Sequence, residues 1–132
     1  MNGVAQAFAL LEALIYMAVF PLESFFLRHP AVQRFLSTPS ENVPAVMMWA
    51  IPTGFRNLLI GLGTITGLAL LRIGHEDAGR ALVIYCCTYM VLAGSTMAVA
   101  DWRGHYPKRG DSIPGTLAAT LPAVVSLVAT VF

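Results

Sequence analysis

Long apolar runs alternate with short polar segments along the chain, and this pattern predicts the secondary structure. The apolar runs cover residues 4–27, 50–71, 81–100 and 112–132 approximately. A helix that crosses the hydrocarbon core of a bilayer needs about 20 apolar residues, so each run is long enough to cross it once. The pattern therefore predicts an all-α fold, a bundle of four transmembrane helices that forms one domain over residues 1–132.

Proline and polar residues modify the first two runs. Pro21 removes a backbone hydrogen bond from the first run and predicts a kink just before Glu23. The segment 52–54, Pro-Thr-Gly, predicts a break or a kink in the second helix, with a first piece that ends near Ile51 and the main helix after it. Between these runs, residues 31–37 are amphipathic, which is typical of a short helix lying in the membrane interface.

The composition agrees with a membrane location. Hydrophobic residues make up 57% of the chain and charged residues 11%, with a mean hydropathy of +0.70; soluble domains have about 25% charged residues. The net charge of +1 and the lack of a basic stripe argue against a nucleic-acid partner. The first run has no basic segment before it and no cleavage site after it, so we expect it to remain in the mature protein.

Basic residues in the connecting segments predict the orientation. The first and third connections carry most of the positive charge, namely Arg28, Arg34, Arg103, Lys108 and Arg109. The second connection carries Arg72 and Arg80. Cytoplasmic loops are enriched in Lys and Arg, so both termini are predicted to face outside.

Two carboxylates interrupt the first run, which is the most informative feature of the chain. Ionisable groups at membrane depth are costly and generally turn toward a bundle interior, where they find partners. Helical geometry places Glu12 and Glu23 within about 20° of the same face and about 16 Å apart along the axis. Tyr16 lies on that face, one turn from Glu12. The first helix is therefore predicted to carry a polar row into the bundle.

Several short motifs resemble a known family. They are PTGFRNLLIG in the second run, Glu23-Ser24-Phe25, Leu92-Ala93-Gly94, and LPAVVSL at residues 121–127. Together they are similar to a family of small bacterial integral membrane proteins, the domain of unknown function 1304. Its members show N-Q-G-x-Y-N at residues 52–57, where Gly54 and Asn57 match and Arg56 replaces the tyrosine. The resemblance implies a multi-pass protein of the bacterial inner (cell) membrane and supplies no activity.

Glu23 is expected to meet the polar residues of the second helix. Arg56 and Asn57 lie about one turn past the predicted break, at the depth of Glu23. A buried ion pair with Arg56, or a contact with Asn57, is the expected result. Such a group could be a structural clamp between helices. Alternatively, it could line a polar cavity that binds an anionic or zwitterionic group.

Glu12 has no basic residue at its depth, so the protonated form is expected. Its possible hydrogen-bond partners are Tyr16, Tyr85, Tyr89 and Ser126. One interpretation is a protonated carboxyl that is satisfied within the bundle. The other is a proton-coupling site. The chain resembles the small multidrug resistance transporters in outline, since those have four spans and a carboxylate in the first helix.

Two functional hypotheses follow. The preferred one is binding, or proton-linked movement, of a small solute through a polar pocket lined by Glu12, Tyr16, Glu23, Arg56 and Asn57. The alternative is a non-catalytic membrane scaffold or accessory subunit with a structural ion pair. No nucleophile, phosphate-loop or metal-site motif occurs, so no catalytic residue, cofactor or metal is expected. The expected partners are membrane lipid, a possible small-molecule ligand and further copies of the chain, since four short helices enclose little volume.

Overall fold

Four long helices dominate the structure, a computed structural model that describes residues 1–132. The helices are α1 (Gly3–Ser24), the short α2 (Pro30–Phe35), α3 (Val43–Arg72), α4 (Glu76–Trp102) and α5 (Ile113–Val131), with a 3₁₀ turn at Ser40–Asn42 before α3. The helices α1, α3, α4 and α5 are each long and apolar enough to cross a membrane. The predicted all-α bundle of four membrane helices is confirmed, and the protein is a multi-pass membrane protein.

The four long helices pack in a ring. α3 contacts α1 and α4, and α5 contacts the other sides of α1 and α4. Short connections between consecutive long helices give an up-and-down bundle. The core lies where α1, α4 and α5 meet, around Ala9, Tyr16, Cys87, Met90 and Ala123. Small residues dominate it, which lets the helix backbones approach one another.

Glycine sets the distance between α3 and α4. A Cβ atom on Gly79 would lie 2.7 Å from the carbonyl oxygen of Gly67, closer than real Cβ atoms come to an oxygen. Gly63 also faces α4, at the side chain of Cys86. The sequence Gly63-x-x-x-Gly67 therefore forms a close helix contact of the type that small residues favour in membranes.

A break in the second helix is wrong, because α3 runs without interruption through Pro52, while a kink there stays a prediction. Proline removes one backbone donor, but hydroxyl groups bond to carbonyls around it. Thr53 donates to the Trp49 carbonyl at 2.6 Å, and Ser24 of α1 donates to the Ile51 carbonyl at 3.2 Å. These carbonyls flank the position at which Pro52 lacks its backbone donor, and packing against neighbouring helices is how membrane helices tolerate proline.

α1 also continues through its proline. It remains helical to Ser24, and the amides of Phe25 and Phe26 both donate to the Pro21 carbonyl, at 3.0 and 3.1 Å. The kink at Pro21 stays a prediction.

The helix bounds differ from the predicted spans mainly at two starts. α3 begins at Val43 rather than near residue 50, because the predicted break is absent. α4 begins at Glu76 rather than near residue 81. Glu76 and Asp77 lie in the first turn of α4, where negative charge interacts favourably with the helix dipole. The short helix expected at residues 31–37 is present as α2, Pro30–Phe35, and its location in the membrane interface stays a prediction.

Candidate functional site in the bundle interior

Glu12 is the most unusual residue of the bundle. Its side chain is 0% exposed, and neither carboxyl oxygen has a hydrogen-bond partner. Cys87 of α4 and the backbone amide of Ala123 in α5 lie close to the carboxyl. Buried polar groups are nearly always hydrogen-bonded, and a buried charge without a partner is more costly still. The closed bundle therefore suits the neutral carboxylic acid and not the carboxylate.

Tyr16 lies one turn beyond Glu12 and ties the first helix to the other two. Its hydroxyl lies 2.9 Å from the Met90 carbonyl of α4 and 3.3 Å from the Ala119 carbonyl of α5. Helical carbonyl oxygens keep a second lone pair, which can accept a bond from a side chain. The proton of Tyr16 is thus directed to the backbone of its neighbours and not to Glu12.

The predicted hydrogen-bond partners of Glu12 do not bond to it. Ser126 donates to the Ala5 carbonyl at 2.8 Å and accepts a weak bond from the Cys87 thiol at 3.8 Å. Tyr85 points away from the core and is 69% exposed. Tyr89 packs half-buried against the core and makes no hydrogen bond to the carboxyl. None of the four predicted partners therefore bonds to Glu12.

Glu23 contacts the polar part of α3 as expected, through Asn57. The Asn57 amide donates to Glu23 Oε2 at 2.7 Å, and both residues are half-buried. Next to Glu23, the buried Ser24 bonds to the α3 backbone. This contact lies near the end of α1 that leads into the first connection, so it joins α1 to α3 at one edge of the bundle.

The expected ion pair between Glu23 and Arg56 is not present. Arg56 lies on the exposed face of α3, beside α4, while Glu23 bonds to Asn57. Adjacent helical residues point about 100° apart, so only one of the two can face α1. Gly54 and Gly61 pack against α1, and Asn57 shares their face by its spacing of three and four. That spacing is the sequence signal that could have excluded Arg56.

The five predicted site residues thus occupy three places. Glu12 and Tyr16 lie in the core, Glu23 and Asn57 lie at the contact of α1 with α3, and Arg56 faces outward. Tyr16 lies between the two carboxylates along α1. Glu12, Tyr16 and Glu23 therefore follow one another along α1, although they do not line one common pocket.

A groove that the sequence did not predict lies between α3 and α4. It has a volume of about 350 Å³ and opens on the outer surface of the bundle. Its lining consists of Arg56, Leu59, Ile60, Gly63, Leu82, Tyr85, Cys86 and Tyr89. Its lining includes Gly63, which packs against Cys86, and Arg56, whose position beside α4 is not revealed by periodicity alone.

A second cleft, of about 360 Å³, lies between the first and third connections, at residues 36–42 and 104–107. Asp101 orders the third connection, since its carboxylate accepts bonds from the Gly110 amide and from the amide and hydroxyl of Ser112. Burial, and secondarily the nearby Asp101 carboxylate, raise the pKa of the Tyr106 hydroxyl. Tyr106 therefore remains a neutral phenol.

Comparison with known proteins identifies the family of the chain and no activity. No curated protein and no solved structure gives a significant match. One family model matches residues 10–131, a range that includes all five predicted site residues. Its description is a protein of unknown function, DUF1304, so the resemblance that the short motifs suggested is confirmed. The chain belongs to the DUF1304 family of proteins of unknown function.

Proposed function

We propose that this protein is a small proton-linked membrane transporter in which Glu12 is the group that takes up and releases the proton. The observation that carries the proposal is the fully buried Glu12 carboxyl, whose two oxygens have no hydrogen-bond partner. A carboxyl with a purely structural role gains by bonding to its surroundings, whereas an unsatisfied buried polar group costs about 1–3 kcal/mol. Ionisable residues inside membrane bundles commonly mark proton and ion pathways.

The two protonation states of Glu12 favour different arrangements of the bundle. The neutral acid is compatible with the dry packing of α1 against α4 and α5. The carboxylate requires water or a donor, so its formation favours a bundle that is opened around α1. A proton thus acts as a ligand that binds one of two conformations more tightly, and this is the physical basis of coupling.

The polar residues of α1 extend from the core toward one end of the bundle, and they provide a path for the solute in the proposed transport. Tyr16 follows Glu12, and Glu23 lies near the end of α1 with Asn57 beside it. Opening of the core breaks the bonds of Tyr16 to the carbonyls of Met90 and Ala119, which frees its hydroxyl. A small polar solute would then meet a carboxyl, a phenol and an amide along one side of the opened bundle.

The test compares the wild-type protein with Glu12→Gln in lipid nanodiscs. Hydrogen–deuterium exchange of the α1 amides is measured across a range of pH and corrected for the intrinsic rate. In the wild type, we expect α1 to lose protection as the pH rises and Glu12 ionises. Gln cannot ionise, so the variant should stay protected.

Glu76→Gln is the matched control, because Glu76 is an exposed carboxylate at the start of α4. It should behave like the wild type. If α1 has the same pH dependence in wild type and Glu12→Gln, Glu12 does not couple protonation to opening and the proposal fails.

A non-catalytic scaffold or accessory subunit is the second candidate. It is favoured by the separation of the five predicted site residues, which do not share a solute-sized pocket, and by the outward position of Arg56. For a scaffold, Glu12→Gln should leave both the stability and the pH response of the bundle unchanged. The exchange experiment above therefore distinguishes the two candidates.

A further inference from the structure

We propose that the groove between α3 and α4 binds an anionic phospholipid of the surrounding bilayer, with the phosphate at Arg56 and one acyl chain lying along the groove. The proposal does not depend on the role of Glu12, which lies in the core of the bundle. It rests on the shape of the groove, on its single charge and on its position relative to the membrane surface.

The lining of the groove suits an acyl chain. Six of its eight lining residues are hydrophobic, and its volume is about 350 Å³. Gly63 forms part of its wall, where a Cβ atom would lie 3.1 Å from Cys86 Sγ. Leu59 and Tyr85 border it and are 66% and 69% exposed, so the groove opens sideways toward lipid. An occupant can therefore enter directly from the bilayer.

The charge of the groove requires an anion. Arg56 is the one charged residue in its lining, and a cation at membrane depth needs a partner. Glu23 is engaged by Asn57, and Glu12 is fully buried.

Within its long helices, a second copy of the chain does not offer a suitable carboxylate either. Within the long helices, the remaining acidic residues are Asp101, whose carboxylate is bonded to the third connection, and Glu76 and Asp77. Glu76 and Asp77 lie in the first turn of α4, at the opposite end of the bundle from Asp101. The other two acidic residues, Glu41 and Asp111, lie in the connections outside the long helices, and Asp111 accepts a bond from the Lys108 amide. No free carboxylate remains at the level of the groove, so the partner of Arg56 is assigned to the lipid.

The groove runs in the direction that a lipid needs. α3 and α4 are antiparallel, and the exposed Trp49 and Trp102 lie at the same end of the pair. Tryptophan is enriched at the membrane interface, so this end marks the bilayer surface. Arg56 lies about 10 Å inside the level of Trp49, a distance that a long side chain shortens by extending toward the headgroups.

Beyond Arg56 the groove continues toward the middle of the bilayer, past Ile60 and Gly63 of α3. The charged end of the groove therefore faces the headgroups and its apolar length follows the acyl chains. This arrangement matches the polarity of a phospholipid.

Native mass spectrometry after extraction from equal mixtures of phosphatidylglycerol and phosphatidylcholine tests the proposal. We expect the wild type to retain phosphatidylglycerol with a preference of about tenfold, the size of effect that charge-assisted hydrogen bonds to a guanidinium give. Arg56→Gln should lose this preference, and Arg56→Lys should keep part of it, since the charge remains but the paired donors do not.

Arg80→Gln is the matched control, because Arg80 is an exposed arginine at the opposite end of the bundle that bonds to the Thr130 carbonyl. It should leave the preference for phosphatidylglycerol unchanged. Thermal unfolding of each variant shows whether it is folded, and Arg56→Lys supplies the answer if Arg56→Gln is not.

Three outcomes overturn the proposal. The first is equal retention of the two lipids by the wild type, and the second is an unchanged preference in Arg56→Gln together with Arg56→Lys. The third comes from adding palmitate to the same mixture. If palmitate is retained through Arg56 and phosphatidylglycerol is not, the groove takes a free fatty acid and not a phospholipid.

Discussion

Two glutamates in one helix have opposite environments, which shows how strongly position within the bundle determines their chemistry. Glu23 lies near the end of α1, is half-buried and accepts a bond from Asn57. Glu12 lies among small residues in the core and accepts none. The difference arises because Asn57 reaches Glu23 from a face of α3 that packs closely against α1. Around Glu12, the hydroxyls of Tyr16 and Ser126 bond to backbone carbonyls instead.

Removal of the Asn57 amide should destabilise the protein. Asn57→Ala leaves the half-buried Glu23 without its donor, and we expect a loss of about 1–3 kcal/mol in the free energy of unfolding. The measurement is unfolding in mixed micelles of increasing SDS content, followed by circular dichroism. Asn42→Ala is the control, since Asn42 is exposed and its side chain makes no capping bond to α3. Equal stability of the two variants would show that the bond between Asn57 and Glu23 contributes nothing.

At the residue scale, the sequence predicts how deep a residue lies in the membrane better than it predicts which neighbouring helix its side chain faces. The sequence predicts that Glu23 and Asn57 lie at the same depth, and their contact is confirmed. The ion pair with Arg56 was wrong because a change of one residue turns a helical side chain by about 100°. The pattern Gly54-x-x-Asn57-x-x-x-Gly61 carries the missing information, since both glycines mark the face of α3 that touches α1.

At the scale of the elements, close helix contacts replace a large apolar core. Gly67 and Gly79 bring the backbones of α3 and α4 together. Lipid tails are as apolar as side chains, so close packing and interhelical bonds hold such helices together rather than the exclusion of water. This is the physical reason that small residues, and not leucine or phenylalanine, dominate the interior.

A methyl group at the closest contact should separate the two helices. Gly79→Ala places a Cβ atom 2.7 Å from the Gly67 carbonyl oxygen, and we expect a destabilisation of about 1–3 kcal/mol by the same SDS titration. Gly3→Ala is the control, because a Cβ at Gly3 meets nothing within 4 Å. Alanine has the higher helix propensity, so the control should be neutral or slightly stabilised. A Gly79→Ala protein as stable as the control would contradict the close contact.

The number of long helices and their approximate positions could be predicted from hydropathy, because each span must be apolar over about 20 residues. The continuity of α3 through Pro52 could not, because a membrane helix tolerates proline where it packs against neighbouring helices, which local sequence does not reveal. The groove between α3 and α4 also escaped prediction, because a cavity depends on the relative rotation of two helices. Sequence periodicity thus determines the elements, while their mutual rotation determines the site.

At the scale of the whole molecule, the order of the helices determines at which end of the bundle each connection and each polar residue lies. The first and third connections lie together around one cleft, as expected for a chain that crosses the membrane an even number of times between them. That these connections face the cytoplasm, with both termini outside, stays a prediction from their basic residues. If it holds, Glu23 and Arg56 lie toward the cytoplasmic surface and Glu12 toward the outer half of the bilayer.

The most direct test of the account is the protonation of Glu12 itself. Infrared difference spectroscopy of the protein in lipid membranes follows the carboxylic acid and carboxylate bands as the pH is raised, and subtraction of Glu12→Gln isolates the contribution of Glu12. Glu23→Gln serves as the control for the second carboxyl of α1. We predict a protonated Glu12 band in the closed bundle near neutral pH, which disappears on raising the pH and returns on lowering it. A Glu12 band that stays unchanged through the whole titration, either always protonated or always ionised, would contradict the proposed exchange of protons at this site.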